Sequence, residues 1–247
     1  MTHIVTIWIH RFAPADFYFD PYRIAKMPTI VKPAERIQQN ILAAGERRLL
    51  TWLAARMPSA VTPDKLTIIG FFGATMVGAG YALSAIDVRW LWMSIAAFII
   101  NWFGDSLDGS LARFRQIERP RYGYFIDHSM DSLGNMLIVI GIGLSPFVRM
   151  DLALFALCGY FLLSIHTFIA ARVVDEFRLS YVAAGPTELR LLLIAMTLTM
   201  LAVGPDLLNG HAFSGFDMFV GGLGTLMVLL FIGQTASTGA KLRKRGD

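Results

Sequence analysis

The chain has 247 residues, 55% of them hydrophobic and only 16% charged, with a mean hydropathy of +0.55. Soluble domains carry about a quarter charged residues, so this composition excludes an ordinary soluble domain, and it excludes disorder. One cysteine, Cys158, excludes a disulfide framework and a multi-cysteine zinc site. The net charge of +4 includes no long basic tract with interleaved aromatics, which argues against nucleic acid as a partner.

Residues 1–33 are rich in aromatics and prolines and suggest no regular structure. Their apolar run from Ile4 to Ile9 is too short for a cleavable signal peptide. Residues 33–57 read as an amphipathic helix. Ile37, Ile41, Leu42, Leu49, Leu50, Trp52 and Leu53 are its apolar members, and Glu35, Arg36, Gln38, Gln39, Glu46, Arg47 and Arg48 its polar ones. Such a helix lies in the headgroup plane or packs on the cytoplasmic ends of membrane spans; the first reading is preferred. Thr62 suits the N-cap of the next helix, with Pro63 at its first position, where a missing N–H costs nothing.

A bilayer core about 30 Å thick needs roughly 20 apolar helical residues. Six stretches answer to this: 66–86, 90–103, 123–144, 152–171, 189–203 and 216–234. The second turns polar at Gly104 and Asp105, so its helix is expected to continue through Arg113 into an aqueous pocket. The third begins polar and becomes apolar after Leu133, which brings two acidic helix ends to one membrane face. Basic residues crowd the segment before the first span, the loops after the second and fourth, and the tail. The opposite loops carry only Arg89 and Arg149. The positive-inside rule then places both termini and the acidic face in the cytoplasm. The expected fold is an all-α integral membrane domain of six transmembrane helices over 61–240. It is preceded by an interfacial segment, 1–60, and followed by a basic tail, 241–247.

The acids have helical spacing. Asp105 and Asp108 are three residues apart, and Gly109 and Ala112 lie on or beside their face. Gly123, Asp127 and Asp131 form a stripe with a period of four on the next helix. Two neighbouring helices would thus point four carboxylates into one volume. Acids at a membrane boundary are costly and mark function. Carboxylates favour hard cations such as Mg²⁺, Mn²⁺ or Ca²⁺, and two divalent ions would balance four negative charges and grip a diphosphate. The competing reading pairs the acids with Arg113, Arg115, Arg119 and Arg121 as ordinary helix-end charges. It leaves two acid pairs, three small residues and an arginine in register unexplained.

The pattern Asp105-x-x-Asp108-Gly109-x-x-Ala112-Arg113, nine residues, Gly123-x-x-x-Asp127-x-x-x-Asp131 resembles the signature of the CDP-alcohol phosphotransferases, also called CDP-alcohol phosphatidyltransferases. The six spans and the Val61–Thr67 start of the first also look like the family, over roughly 61–234. The resemblance implies cleavage of the phosphoanhydride of a CDP-linked donor, release of CMP, and transfer of the remaining phosphoryl group to an alcohol. By position, Asp105, Asp108 and Asp127 would bind two Mg²⁺ or Mn²⁺ ions. Asp131 would add to metal binding and act as the base for the acceptor hydroxyl. Gly109, Ala112 and Gly123 would make room for the cytidine, and Arg113 would order the acids or the phosphates. The resemblance also implies a homodimer.

Asp127-His128-Ser129-Met130-Asp131-Ser132 looks like the form found in the eukaryotic choline and ethanolamine phosphotransferases, which also have a Thr-Glu pair near the position of Thr187-Glu188. His128 and Glu188 would then assist the base. Equally, His128 is a helix-face neighbour and Glu188 an acid favoured by a helix N-terminus. Arg172, Arg178 and Arg190 would bind a phosphate of the acceptor or donor; equally, Arg172 and Arg178 would merely satisfy topology. His166, mid-span, reads as a packing or hydrogen-bonding residue. Three functions follow in order: transfer from CDP-diacylglycerol to an alcohol in a bacterial cell membrane, transfer from CDP-choline or CDP-ethanolamine to diacylglycerol, and divalent-cation transport through the same acids.

Overall fold

The apolar runs fold as long helices, because a chain with so few charges meets its backbone hydrogen-bonding needs within each segment. The computed structural model describes residues 35–37, 42–174, 176–178, 185–205 and 213–245, all within one unit, Ala34–Asp247. The expectations for residues 1–33 lie outside the described residues. In chain order the elements are β1 (Glu35–Ile37), α1 (Ala43–Ala54), α2 (Pro63–Leu83), a 3₁₀ turn (Val88–Trp90), α3 (Leu91–Phe114), α4 (Pro120–Leu144), α5 (Met150–Val173), β2 (Glu176–Arg178), α6 (Pro186–Val203) and α7 (Gly215–Arg245).

Among the described residues, α2, α5, α6 and α7 are long and apolar enough to cross a membrane. Helices α3 and α4 have 24 and 25 residues, but carry the acids. As expected, α3 runs past the apolar stretch through Arg113, to Phe114. The Thr62 hydroxyl accepts from the Lys65 N–H at 3.3 Å, and Pro63 opens α2.

The expected helix over 33–57 needs correction. Its described part begins only at Ala43, and Glu35–Ile37 is a short strand paired in parallel with Glu176–Arg178. The spacing of Ile37 and Ile41 suits a helix, but a short apolar run does not by itself tell helix from strand. Helix α1 buries Leu50 and Ala54 against Leu66, Leu107 and Leu111, while Leu49 and Trp52 remain about half exposed, at 46% and 52%.

Helix α2 is the axis of the bundle and is held by close backbone approach. A Cβ on Gly73 would lie 2.5 Å from the Asn101 nitrogen of α3. One on Gly134 of α4 would lie 3.0 Å from the Ala74 Cβ. Small residues serve this purpose where lipid gives no hydrophobic drive between helices. Polar groups bond across the same seams: Ser94 donates to the Val77 carbonyl at 3.0 Å and the Asn101 amide to the Gly70 carbonyl at 2.9 Å. Tyr81, Phe98, Phe147 and Met200 fill the apolar centre. Past the end of α3, the Arg115 guanidinium donates to the carbonyls of Met57, Pro58 and Val61 at 2.5–2.9 Å, fixing the α1–α2 connection to the end of α3.

Candidate active site

A cleft with about 330 Å³ of empty space, including its open mouth, lies where α2, α3, α4 and α6 meet. Thr67, Gly70, Phe71 and Ala74 of α2 form one wall, and Asn101 and Asp105 come from α3. Asp127, Met130, Asp131, Gly134 and Asn135 come from α4, and Arg190 from α6. The period-four stripe of α4 therefore continues one step beyond the acids, to Asn135. Asn101 likewise precedes Asp105 by one turn of α3.

The acids are treated unequally. Asp105 forms an ion pair with Arg190, both side chains largely buried. Asp131 faces Asp105 and Asp127. Asp127 and Asp131, together with His128, each offer an atom within 4.8 Å of the others, a spacing that suits ligation of a cation. Asp108 is buried: it accepts from the Thr67 hydroxyl at 2.6 Å and from the Gly109 N–H at 2.5 Å. Thus Asp105, Asp127 and Asp131 line one cleft, and Asp108 stands against its Thr67 rim.

The other expected residues are placed as follows. His128 Nδ1 is 3.8 Å from the Asp127 carboxylate, and its ring packs edge-on to Tyr124 with centroids 4.4 Å apart. Gly123 has open space where a side chain would stand, and at Gly109 the Arg113 guanidinium approaches to 3.3 Å. Ala112 is half-buried, and Arg113 is exposed and donates to Ser110 Oγ at 3.2 Å. Glu188 is a helix cap: its carboxylate accepts from the N–H groups of Gly185 and Leu42, both at 3.0 Å. Arg172 is exposed, the Arg178 side chain lies outside the described residues, and His166 bonds Thr238 at 3.3 Å.

Among the described residues, Arg190 is the cation that lines the cleft. Its Nε donates to Asn101 Oδ1 at 2.8 Å and its Nη2 to Asp105, while the buried Nη1 has no hydrogen-bond partner among the described residues. A buried, unsatisfied guanidinium nitrogen is costly, and it is a ready donor for a phosphoryl oxygen. Beyond the cleft, Asn135 donates to the Tyr160 hydroxyl at 2.8 Å. Sequence reasoning passed over Thr67, Asn101, Asn135 and Tyr160. The two asparagines carried a usable signal, since each extends an acidic stripe by four residues.

The profile of the CDP-alcohol phosphatidyltransferase family matches residues 60–232. The chain belongs to that family. Its helices α2 to α6 and most of α7 lie within the matched region. Among similar proteins, archaetidylinositol phosphate synthase of Pyrococcus horikoshii is 28% identical over 137 residues, 56% of this chain and 62% of that protein. Phosphatidylinositol phosphate synthase of Cutibacterium acnes is 33% identical over 102 residues, 41% of this chain and 47% of that protein. Archaetidylinositol phosphate synthase of Methanothermobacter thermautotrophicus is 32% identical over 111 residues, 45% of this chain and 53% of that protein. The chain therefore spans about half to three fifths of the length of these relatives. Membership in this family, with four apolar helices of spanning length, makes the protein an integral membrane protein.

Proposed function

We propose that this CDP-alcohol phosphatidyltransferase family member transfers a phosphatidyl-type group from a CDP-diacylglycerol-type donor to an alcohol hydroxyl and releases CMP. The observation that carries the reading is the cleft itself, where Asp105, Asp127 and Asp131 from two helices face one another beside the buried Arg190. The relatives' names suggest an acceptor of the inositol phosphate kind. The spare Nη1 of Arg190 suits the phosphate of such an acceptor.

The donor set fits divalent metal, being rich in hard carboxylate oxygens with an imidazole beside them. Asp105, Asp108, Asp127 and Asp131 would hold Mg²⁺ or Mn²⁺. When bound, these ions neutralise the diphosphate charge of the donor. The chain's own groups do the rest. Asp131 accepts the proton of the acceptor hydroxyl at its carboxylate. The hydroxyl oxygen then bonds to the lipid-side phosphorus, the phosphoanhydride P–O bond breaks, and its electron pair leaves with CMP. The open position at Gly123 and the small residues Gly109 and Ala112 leave room for the cytidine, with Arg113 beside it. Arg190 binds and orients phosphate. Positioning and charge neutralisation carry the rate, without a covalent enzyme intermediate.

In this reading α2 to α7 are six spans, both termini are cytoplasmic, and the protein works as a homodimer in a bacterial inner membrane. Helix α1 lies at the interface, with Leu49 and Trp52 toward lipid and the Arg56 guanidinium 4.0 Å over the Trp52 ring. His128, adjoining Asp127 and Asp131, favours the second reading, transfer from CDP-choline or CDP-ethanolamine to diacylglycerol. In that case His128 and Glu188 would assist the base, although Glu188 spends its oxygens on Gly185 and Leu42. Family membership weighs against the cation transporter.

A donor and acceptor screen on purified protein, read by CMP release and product mass, distinguishes these functions. CDP-diacylglycerol with an inositol phosphate is expected to give CMP and a phosphatidylinositol phosphate. Turnover only with CDP-choline or CDP-ethanolamine and diacylglycerol would replace the first reading with the second. Metal uptake into liposomes without CMP release would indicate transport.

A further inference from the structure

The way α6 is held in the bundle gives a role to a residue far from the cleft acids in sequence. Arg190 sits on the second turn of α6, yet the buried side chains of α6 are Met196, Thr197 and Met200, all farther along. The first turns therefore have no fully buried apolar anchor, and polar contacts fix their position. One rung of contacts is Arg190 to Asn101 and Asp105 on α3. A second is the Glu188 carboxylate accepting from the Leu42 N–H at the start of α1, and a third runs through Glu46 of α1. Its Oε1 accepts from the Thr187 hydroxyl of α6 at 2.6 Å and from the Trp102 indole N–H of α3 at 2.8 Å, with Ser106 Oγ at 3.5 Å.

Thr187 and Arg190 are three residues apart and share a helix face. Trp102 and Ser106 adjoin the Asn101 and Asp105 stripe of α3. The Arg190 and Glu46 rungs thus stand side by side and set the register of α6 against α3. The carboxylate is also an electrostatic partner of Arg190.

We propose that Glu46 is a positioning residue for phosphate recognition: it latches α1 to α3 and α6 so that Arg190 keeps its guanidinium in the cleft. The assignment rests on the transferase reading of Arg190, but the latch has a readout of its own. In hydrogen exchange on the full chain in detergent, Glu46→Ala should speed exchange in the first two turns of α6 and leave α5 unchanged. Glu46→Gln keeps an accepting oxygen and should restore most of the protection. In kinetics, Glu46→Ala should raise the KM for the phosphate-bearing acceptor about tenfold or more, while kcat and the donor KM change less than about threefold. Thr187→Val removes the other end of the latch and should act alike, and the two changes together should add little to either alone.

Unchanged α6 exchange in Glu46→Ala overturns the latch, whatever the reaction. So does an unchanged acceptor KM, or a double variant whose effects simply add. If Glu46→Ala does not fold, Thr187→Val carries both tests with the same expected and contrary results. If wild-type protein turns over no CDP-linked donor, the transferase reading falls, and the exchange result still decides the latch.

Discussion

Asp131→Asn is expected to lower CMP release by about 10²- to 10⁴-fold, the span typical for loss of a general base. The change keeps the shape of the side chain and removes its capacity to accept a proton. Asp131 faces Asp105 and Asp127, so the substitution also relieves a crowded acidic group. The apo fold should therefore be kept or slightly stabilised, because like charges at close range oppose one another. Thermal unfolding in detergent measured beside CMP release checks both halves. A folded variant that turns over at the wild-type rate would remove Asp131 from the chemistry.

Gly73→Leu is expected to disrupt the protein by a different route. Even a Cβ there would stand 2.5 Å from the Asn101 nitrogen and 2.8 Å from its Cα, and backbone atoms cannot swing aside as a flexible side chain can. Overpacking costs about 1–3 kcal/mol where side chains can adjust, and this seam offers less adjustment. Parting α2 from α3 would also displace Asn101, whose amide bonds the Gly70 carbonyl and whose oxygen holds Arg190. Loss of both unfolding temperature and CMP release should follow. Gly233→Ala is the control, because a Cβ at Gly233 meets nothing within 4 Å and should leave both nearly unchanged. Equal tolerance at the two glycines would contradict the close-packed seam.

The helices were legible because each apolar run is long, and the acids because the period of α3 and α4 puts them on shared faces. Other features depend on partners distant in sequence. Nothing near Asp108 foretells the Thr67 hydroxyl that donates to it, 41 residues away. The strand at Glu35–Ile37 exists through pairing with Glu176–Arg178, a contact that local periodicity cannot show. Glu188 had two readings, base assistant or helix-start acid, and its bond to Leu42 spans 146 residues. Glu46 read as one polar residue of an amphipathic helix. Its significance comes only from the meeting of Trp102 and Thr187 on its carboxylate.

The decisive experiment is CMP release from CDP-diacylglycerol by purified protein, first with the divalent ions chelated and then with Mg²⁺ or Mn²⁺ returned. If the carboxylates of α3 and α4 grip a nucleoside diphosphate through cations, as proposed, release stops under chelation and recovers on refilling. Release continuing at full rate in the chelator would contradict that arrangement.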